Sequence, residues 1–126
     1  METTMAYFNQ KLYKALRSKL VHYDEKTCRR VVDAVHSALV EALGAENKEV
    51  LPESLLVSEL LAESIDGLDI GFRIERQLGI KYNKEQLAIA MLFRNPEDKD
   101  KPNMFLEQKT VLDLAEEAYL IVAGRE

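Results

Sequence analysis

Apolar residues recur along most of the chain at the three- and four-residue spacing of amphipathic helices. Over residues 4–20 the pattern is Met5, Phe8, Leu12, Leu16 and Leu20, with Lys11, Lys14, Arg17 and Lys19 between them. Asp24 is a predicted N-cap for a second helix, whose apolar side is Cys28, Val31, Val32, Val35, Leu39 and Leu43, and Gly44 is its stop. A third helix is predicted from Ser64 to Leu78, ahead of Gly79, with Ile65, Leu68 and Phe72 on one stripe and Ile70, Ile74 and Leu78 beside it. A last helix runs over residues 111–122, capped by Thr110 and ended by Gly124. No period-two alternation persists. The predicted class is all-α, with four principal helices and short pieces between them.

The connections differ in kind. Residues 45–63 form a long link with Pro52, in which Val50, Leu51, Leu55, Leu56 and Leu60 are spaced as anchors across the core, with room for a helical turn over residues 54–61. Residues 83–93, opening on Asn83, read as a short helical segment. Residues 94–103, with Pro96 and Pro102 bracketing charges, read as an exposed loop. Met91, Leu92 and Phe93 and then Met104, Phe105 and Leu106 border that loop and are expected to dock it on the core.

Charge adds a polarity. Residues 1–30 carry seven Lys/Arg against three Asp/Glu, a net of +4 within a total of -5, so the other 96 residues carry -9. The acidic body argues against nucleic acid as a ligand and favours basic protein partners. The basic leader reads either as a helix packed on the domain or as an interaction arm; the diluted charge favours packing. With 126 residues and 47% hydrophobic content the chain suits a modest core. It has no apolar run long enough to cross a membrane, so stable insertion is not expected. A single cysteine, Cys28, excludes an internal disulfide. With no secretory pattern at the N-terminus, it leads to an expected cytoplasmic location.

Chemistry concentrates at Ser64. In the plain reading it caps its helix and Asp66 complements the helix dipole. In the functional reading a hydroxyl presented by a leucine-anchored link, among Glu63, Asp66, Asp69 and Glu75, suits covalent modification by a basic enzyme. A phosphate ester there would sit at the positive end of the helix. Neither His22 nor His36 is expected to act as a base, and no metal-ligand spacing, Gly-rich phosphate loop or Ser–His arrangement is present. No enzyme activity is expected.

The motifs Leu51-Pro52-Glu53-Ser54-Leu55, Glu63-Ser64-Ile65-Asp66, Leu78-Gly79-Ile80 and Lys109-Thr110-Val111-Leu112-Asp113-Leu114 occur in an order that resembles the acyl carrier proteins. The likeness covers roughly residues 27–123 and is strongest over 51–82. It implies a four-helix acyl-carrier-like bundle over residues 24–126, with a long loop before the Ser64 helix and an additional amphipathic helix in an N-terminal extension, residues 1–23. It also implies that Ser64 carries 4′-phosphopantetheine from coenzyme A, whose thiol holds acyl groups in fatty-acid, specialised-lipid or polyketide-type synthesis. Glu63, Asp66, Asp69 and Glu75 would then recognise a phosphopantetheinyl transferase and acyl-processing enzymes with basic docking surfaces, and the carrier is expected to be a monomer. Several features depart from the family pattern: Glu63 for the usual Asp, Arg73 and Arg76 within a commonly acidic run, the leader, and a longer stretch over residues 88–108. These point to a specialised member.

Gly67 and Gly71 would each cost about 1 kcal/mol in a helix interior. They either admit a neighbouring helix or, as in the carrier family, widen a groove toward residues 83–93 for the acyl chain. With Ile65, Leu68 and Phe72 they are the acyl-groove candidates. The rival from a different class is a carrier-shaped interaction module that never takes the prosthetic group.

Overall fold

The fold is built by capping and by one shared apolar centre. The computed structural model describes residues 7–56, 58–60, 64–82 and 109–124, apart from the side chains of Ser64, Ile65 and Leu68. Four α-helices are found among the described residues: α1, Gln10–Lys19; α2, Glu25–Leu43; α3, Ser64–Leu78; and α4, Val111–Gly124. There is no strand among them, only an isolated antiparallel bridge between Leu55 and Thr110. The all-α expectation holds.

Local signals set the boundaries of α2. The Asp24 carboxylate accepts from Thr27 N at 2.8 Å, and Gly44 closes the helix at φ +70°, where a Cβ would be strained. Thr110 and Asp113 cap α4 reciprocally: Asp113 N donates to Thr110 Oγ1 at 3.1 Å and Thr110 N donates to Asp113 Oδ2 at 3.0 Å.

Two expectations need correction. The first helix begins at Gln10, not near residue 4: Tyr7 to Asn9 are non-helical, and Asn9 caps α1 by accepting from Leu12 N at 3.0 Å. A buried amide that satisfies a helix N–H outweighs the apolar spacing upstream of it. Next, α4 continues through Gly124 rather than ending before it. The long link opens on a 3-10 turn at Asn47–Glu49, closed reciprocally by the side chains of Glu46 and Glu49, and within the expected span 54–61 Leu55 O accepts from Glu59 N at 3.1 Å, one helical turn.

The central helix is α2. It packs against each of the other three helices, most extensively against α3, and α1 also meets α4. Leu12 and Leu16 from α1, Val31, Val35 and Leu39 from α2, Ile70 and Ile74 from α3 and Leu114 and Ala118 from α4 form one buried cluster. Thus α1 shares the core of the other helices. The long link is pinned, as its leucines predicted. Val50 and Leu56 are buried. Backbone hydrogen bonds from Leu56 N to Lys109 O (2.9 Å) and from Val111 N to Ser54 O (3.0 Å) tie it to the start of α4. Ser54 Oγ staples the turn, donating to Glu49 O and accepting from Leu51 N. No helix among the described residues is long and apolar enough to cross a membrane.

Candidate functional site

The site is the N-terminal end and outer faces of α3. Ser64 is the first residue of this 15-residue helix. It therefore sits where backbone N–H groups lack intrahelical acceptors and the helix dipole is positive. Asp66 lies in the same first turn, half-buried. Glu63 and the segment over residues 83–93, the proposed far wall of the acyl groove, lie outside the described residues, as do the Ser64, Ile65 and Leu68 side chains and the loop over residues 94–108.

At about 3.6 residues per turn, α3 presents three faces. Ile70 and Ile74 face the core, 2% and 0% exposed. Arg73 and Gln77 border that face and reach α2: Arg73 Nη1 donates to Glu41 Oε1 at 2.7 Å and Gln77 Nε2 to Ser37 Oγ at 3.3 Å. Gly67 and Gly71 are buried: Gly67 lies beside Ile74 on the core-facing side, and Gly71 and Leu78 follow on the flank toward Ser64. Phe72 points outward at 52% exposure, so it is no part of the interior packing. Of the two apolar stripes, the helix buries Ile70–Ile74 against α2 and leaves Phe72 on the opposite side.

The acids on α3 do not form one free cluster. Asp69 Oδ1 accepts from Arg73 Nε at 2.8 Å, one turn on, and Arg73 spans from it to Glu41. Both carboxylates hold the Arg73 guanidinium above its ordinary value, the hydrogen bond it donates to Asp69 contributing most. Glu75 is half-buried, and its Oε2 accepts from Tyr82 N at 2.7 Å. It fixes the chain as it folds back past Gly79, which sits at φ +66°. Asp69 and Glu75 thus have work inside the fold, on different faces of the helix.

A second polar group went unnoticed in the sequence. Lys109 is buried, and its ammonium donates to both carboxylate oxygens of Glu117. Burial pushes the Glu117 carboxyl up, and the adjacent ammonium offsets part of that rise. Close by is Tyr82, 7% exposed, whose hydroxyl has no hydrogen-bond partner among the described residues. Burial, with Glu117 and Glu75 nearby, pushes its phenol well above the usual tyrosine value. The Lys109–Glu117 separation of eight residues straddles a helix cap, so no helical spacing rule signals it. A buried hydroxyl without a partner costs about 1–3 kcal/mol in lost hydration. Tyr82→Phe should therefore raise stability by about 1 kcal/mol, read as a higher urea midpoint at unchanged slope; an equal or lower midpoint would show that the hydroxyl is satisfied.

Neither histidine is near α3's N-terminal end in role or bonding. His22 is exposed in the α1–α2 turn, not in a helix. His36 is buried between Asn9 Nδ2 (2.9 Å to Nδ1) and Asn47 Oδ1 (2.8 Å to Nε2), an arrangement that assigns the proton to Nε2. Cys28 is fully buried, and desolvation pushes its thiol up.

Comparison with known proteins finds a distant likeness. An acyl carrier protein of Karelsulcia muelleri (strain GWSS) is 28% identical over 50 residues, which is 40% of this chain. The chain is similar to an acyl carrier protein. The match spans 60% of that relative's length. No family model matches the chain, and no solved structure matches it.

Proposed function

We propose that the chain is an acyl carrier, with 4′-phosphopantetheine attached to Ser64 Oγ. The observation that carries this reading is the position of Ser64 as the first residue of a long helix, delivered by a link stapled to the core, in a chain similar to an acyl carrier protein. The residues fit the group. A phosphodiester on Ser64 would lie at the positive end of α3, where an anion gains roughly 0.3–1 kcal/mol, with the first-turn N–H groups available to its oxygens. When attached, the group supplies a terminal thiol that holds acyl units as thioesters. The protein's own task is to present the serine on a helix packed against the core.

Gly71 supports an acyl-sheltering flank, because it thins α3 on the side that carries Ser64. Glu63, Asp66, Asp69 and Glu75 would recognise a transferase with a basic surface, Asp69 and Glu75 while also bonded to Arg73 and to Tyr82 N within the fold. Salt should slow such an encounter more than it weakens the complex.

Intact-protein mass after incubation with coenzyme A and a broad-specificity phosphopantetheinyl transferase tests the reading. The wild-type chain should gain one phosphopantetheine and Ser64→Ala none. A wild-type chain that stays unmodified while a control carrier is loaded would refute it, and leave the interaction module.

A further inference from the structure

The corner where α1 turns into α2 combines exposed apolar and cationic groups that the carrier reading does not use. Val21, in the turn, is 90% exposed, and Tyr23 is 43% exposed. Around them Arg17 on α1 and Lys26, Arg29 and Arg30 on α2 are all exposed. Two of these cations are held in place: the Arg17 and Arg29 guanidinium carbons lie 5.5 and 5.4 Å from the centre of the Tyr13 ring. Tyr23 and Tyr13 beside it raise the Arg17 guanidinium above its ordinary value.

Exposed Asp24, Glu25 and Asp33 offset part of this charge, yet residues 1–30, with Asp24 and Glu25 counted, still carry +4. Asp24 accepts from Thr27 N and Thr27 Oγ1, each at 2.8 Å, and Glu25 accepts from Tyr13 Oη at 3.2 Å. Lys19 is paired with Glu116 at 3.7 Å and is left out of the count.

We propose that this corner is a reversible docking site for an anionic lipid surface. Val21 and Tyr23 enter the headgroup layer, and Arg17, Lys26, Arg29 and Arg30 meet the lipid phosphates and carboxylates. Tyr23 suits the interface because its ring is apolar and its hydroxyl is wet. The cations draw on the negative potential of the surface. The acidic remainder, -9 over residues 31–126, turns this end of the molecule toward an anionic plane and keeps the rest away. A bilayer accepts a projecting apolar tip anywhere on its surface, whereas a folded partner needs a matching pocket. With one aliphatic and one aromatic side chain at the tip, binding is shallow and salt-sensitive rather than an anchor.

Sedimentation of the full chain with phosphatidylcholine vesicles, with and without phosphatidylserine, decides the matter. Binding should require phosphatidylserine and fall roughly tenfold or more in Lys26→Glu/Arg30→Glu or at high salt. Val21→Ser should weaken it by about threefold or more through lost apolar contact. All three substitutions are at exposed positions, and unchanged thermal melts confirm that the variants fold. Ser64→Ala should bind vesicles like the wild type, so a failed carrier reading and a failed docking site are told apart. Absence of binding to phosphatidylserine vesicles at low salt overturns the proposal, as does binding indifferent to both the charge reversal and Val21→Ser. Retention on immobilised polyglutamate without vesicle binding overturns it in favour of an acidic protein partner.

Discussion

Replacing Leu16 with alanine should destabilise the whole domain by about 3 kcal/mol, as a shift of one cooperative urea transition. Leu16 is fully buried on α1 and belongs to the same cluster as Val31, Val35, Ile74 and Leu114. Large-to-small changes at such positions cost about 2–5 kcal/mol, because the transfer term and the remaining cavity add. The prediction separates two pictures of residues 1–23. If α1 were an appendage, the substitution would loosen α1 alone and leave the midpoint of α2–α4 in place. If α1 is part of the core, every probe moves together. Two tyrosines supply local readouts, Tyr13 on α1 and Tyr119 on α4, both 5% exposed. Hydrogen exchange resolves the same question by element: protection in α2 and α4 should fall by the same free energy as in α1. A loss confined to α1 would support an extension, residues 1–23, attached to a separate carrier-like domain.

Much of the helical frame was legible because its boundaries rest on short-range chemistry. Asp24, Gly44, Thr110 and Gly79 act on residues within a turn of themselves, and each does what its residue type suggests. Cys28 likewise falls inside, as an apolar residue on the buried side of α2. The pinned link was readable in outline, since spaced leucines with Pro52 have few other uses. Less legible were features fixed by partners far along the chain. Asn9 looks like a surface residue among lysines, yet its amide meets His36 and Val50, 27 and 41 residues away. Arg73 looks like an interruption of an acidic face, but it joins α3 to Glu41 of α2. Phe72 follows the apolar spacing of Ile65 and Leu68 and nevertheless faces water, because two stripes were available and α2 covers only one.

The same distinction applies to the candidate site. Ser64's place at the mouth of a helix follows from local signals, and the structure has it there. The roles of the surrounding acids do not follow from their number. Asp69 is bonded by Arg73 one turn on, and Glu75 by Tyr82 N, a partner that depends on how the chain folds back after Gly79.

Asn9→Ala should cost about 3 kcal/mol, far more than a helix cap alone. The side chain is 2% exposed and does three things at once. Its Oδ1 accepts from Leu12 N at 3.0 Å and caps α1, and its Nδ2 donates to Val50 O at 2.7 Å and to His36 Nδ1 at 2.9 Å. Loss of an Asn cap is worth about 1 kcal/mol. Each buried acceptor deprived of its donor adds about 1–3 kcal/mol, with sub-additivity expected because the three bonds share one residue. The amide therefore ties the entry of α1 to α2 and to the link that leads toward Ser64. Asn9→Asp tells capping from pinning: it keeps an oxygen for Leu12 N but sets a second oxygen against the Val50 carbonyl. If pinning matters, Asn9→Asp at neutral pH should be destabilised nearly as much as Asn9→Ala. Urea midpoints for the two variants settle it, and an Asn9→Asp chain as stable as the wild type would reduce Asn9 to a helix cap. Exchange protection of Val50 N–H and its neighbours should fall with the pin, while that of α4, which Asn9 does not touch, should change only by the global loss.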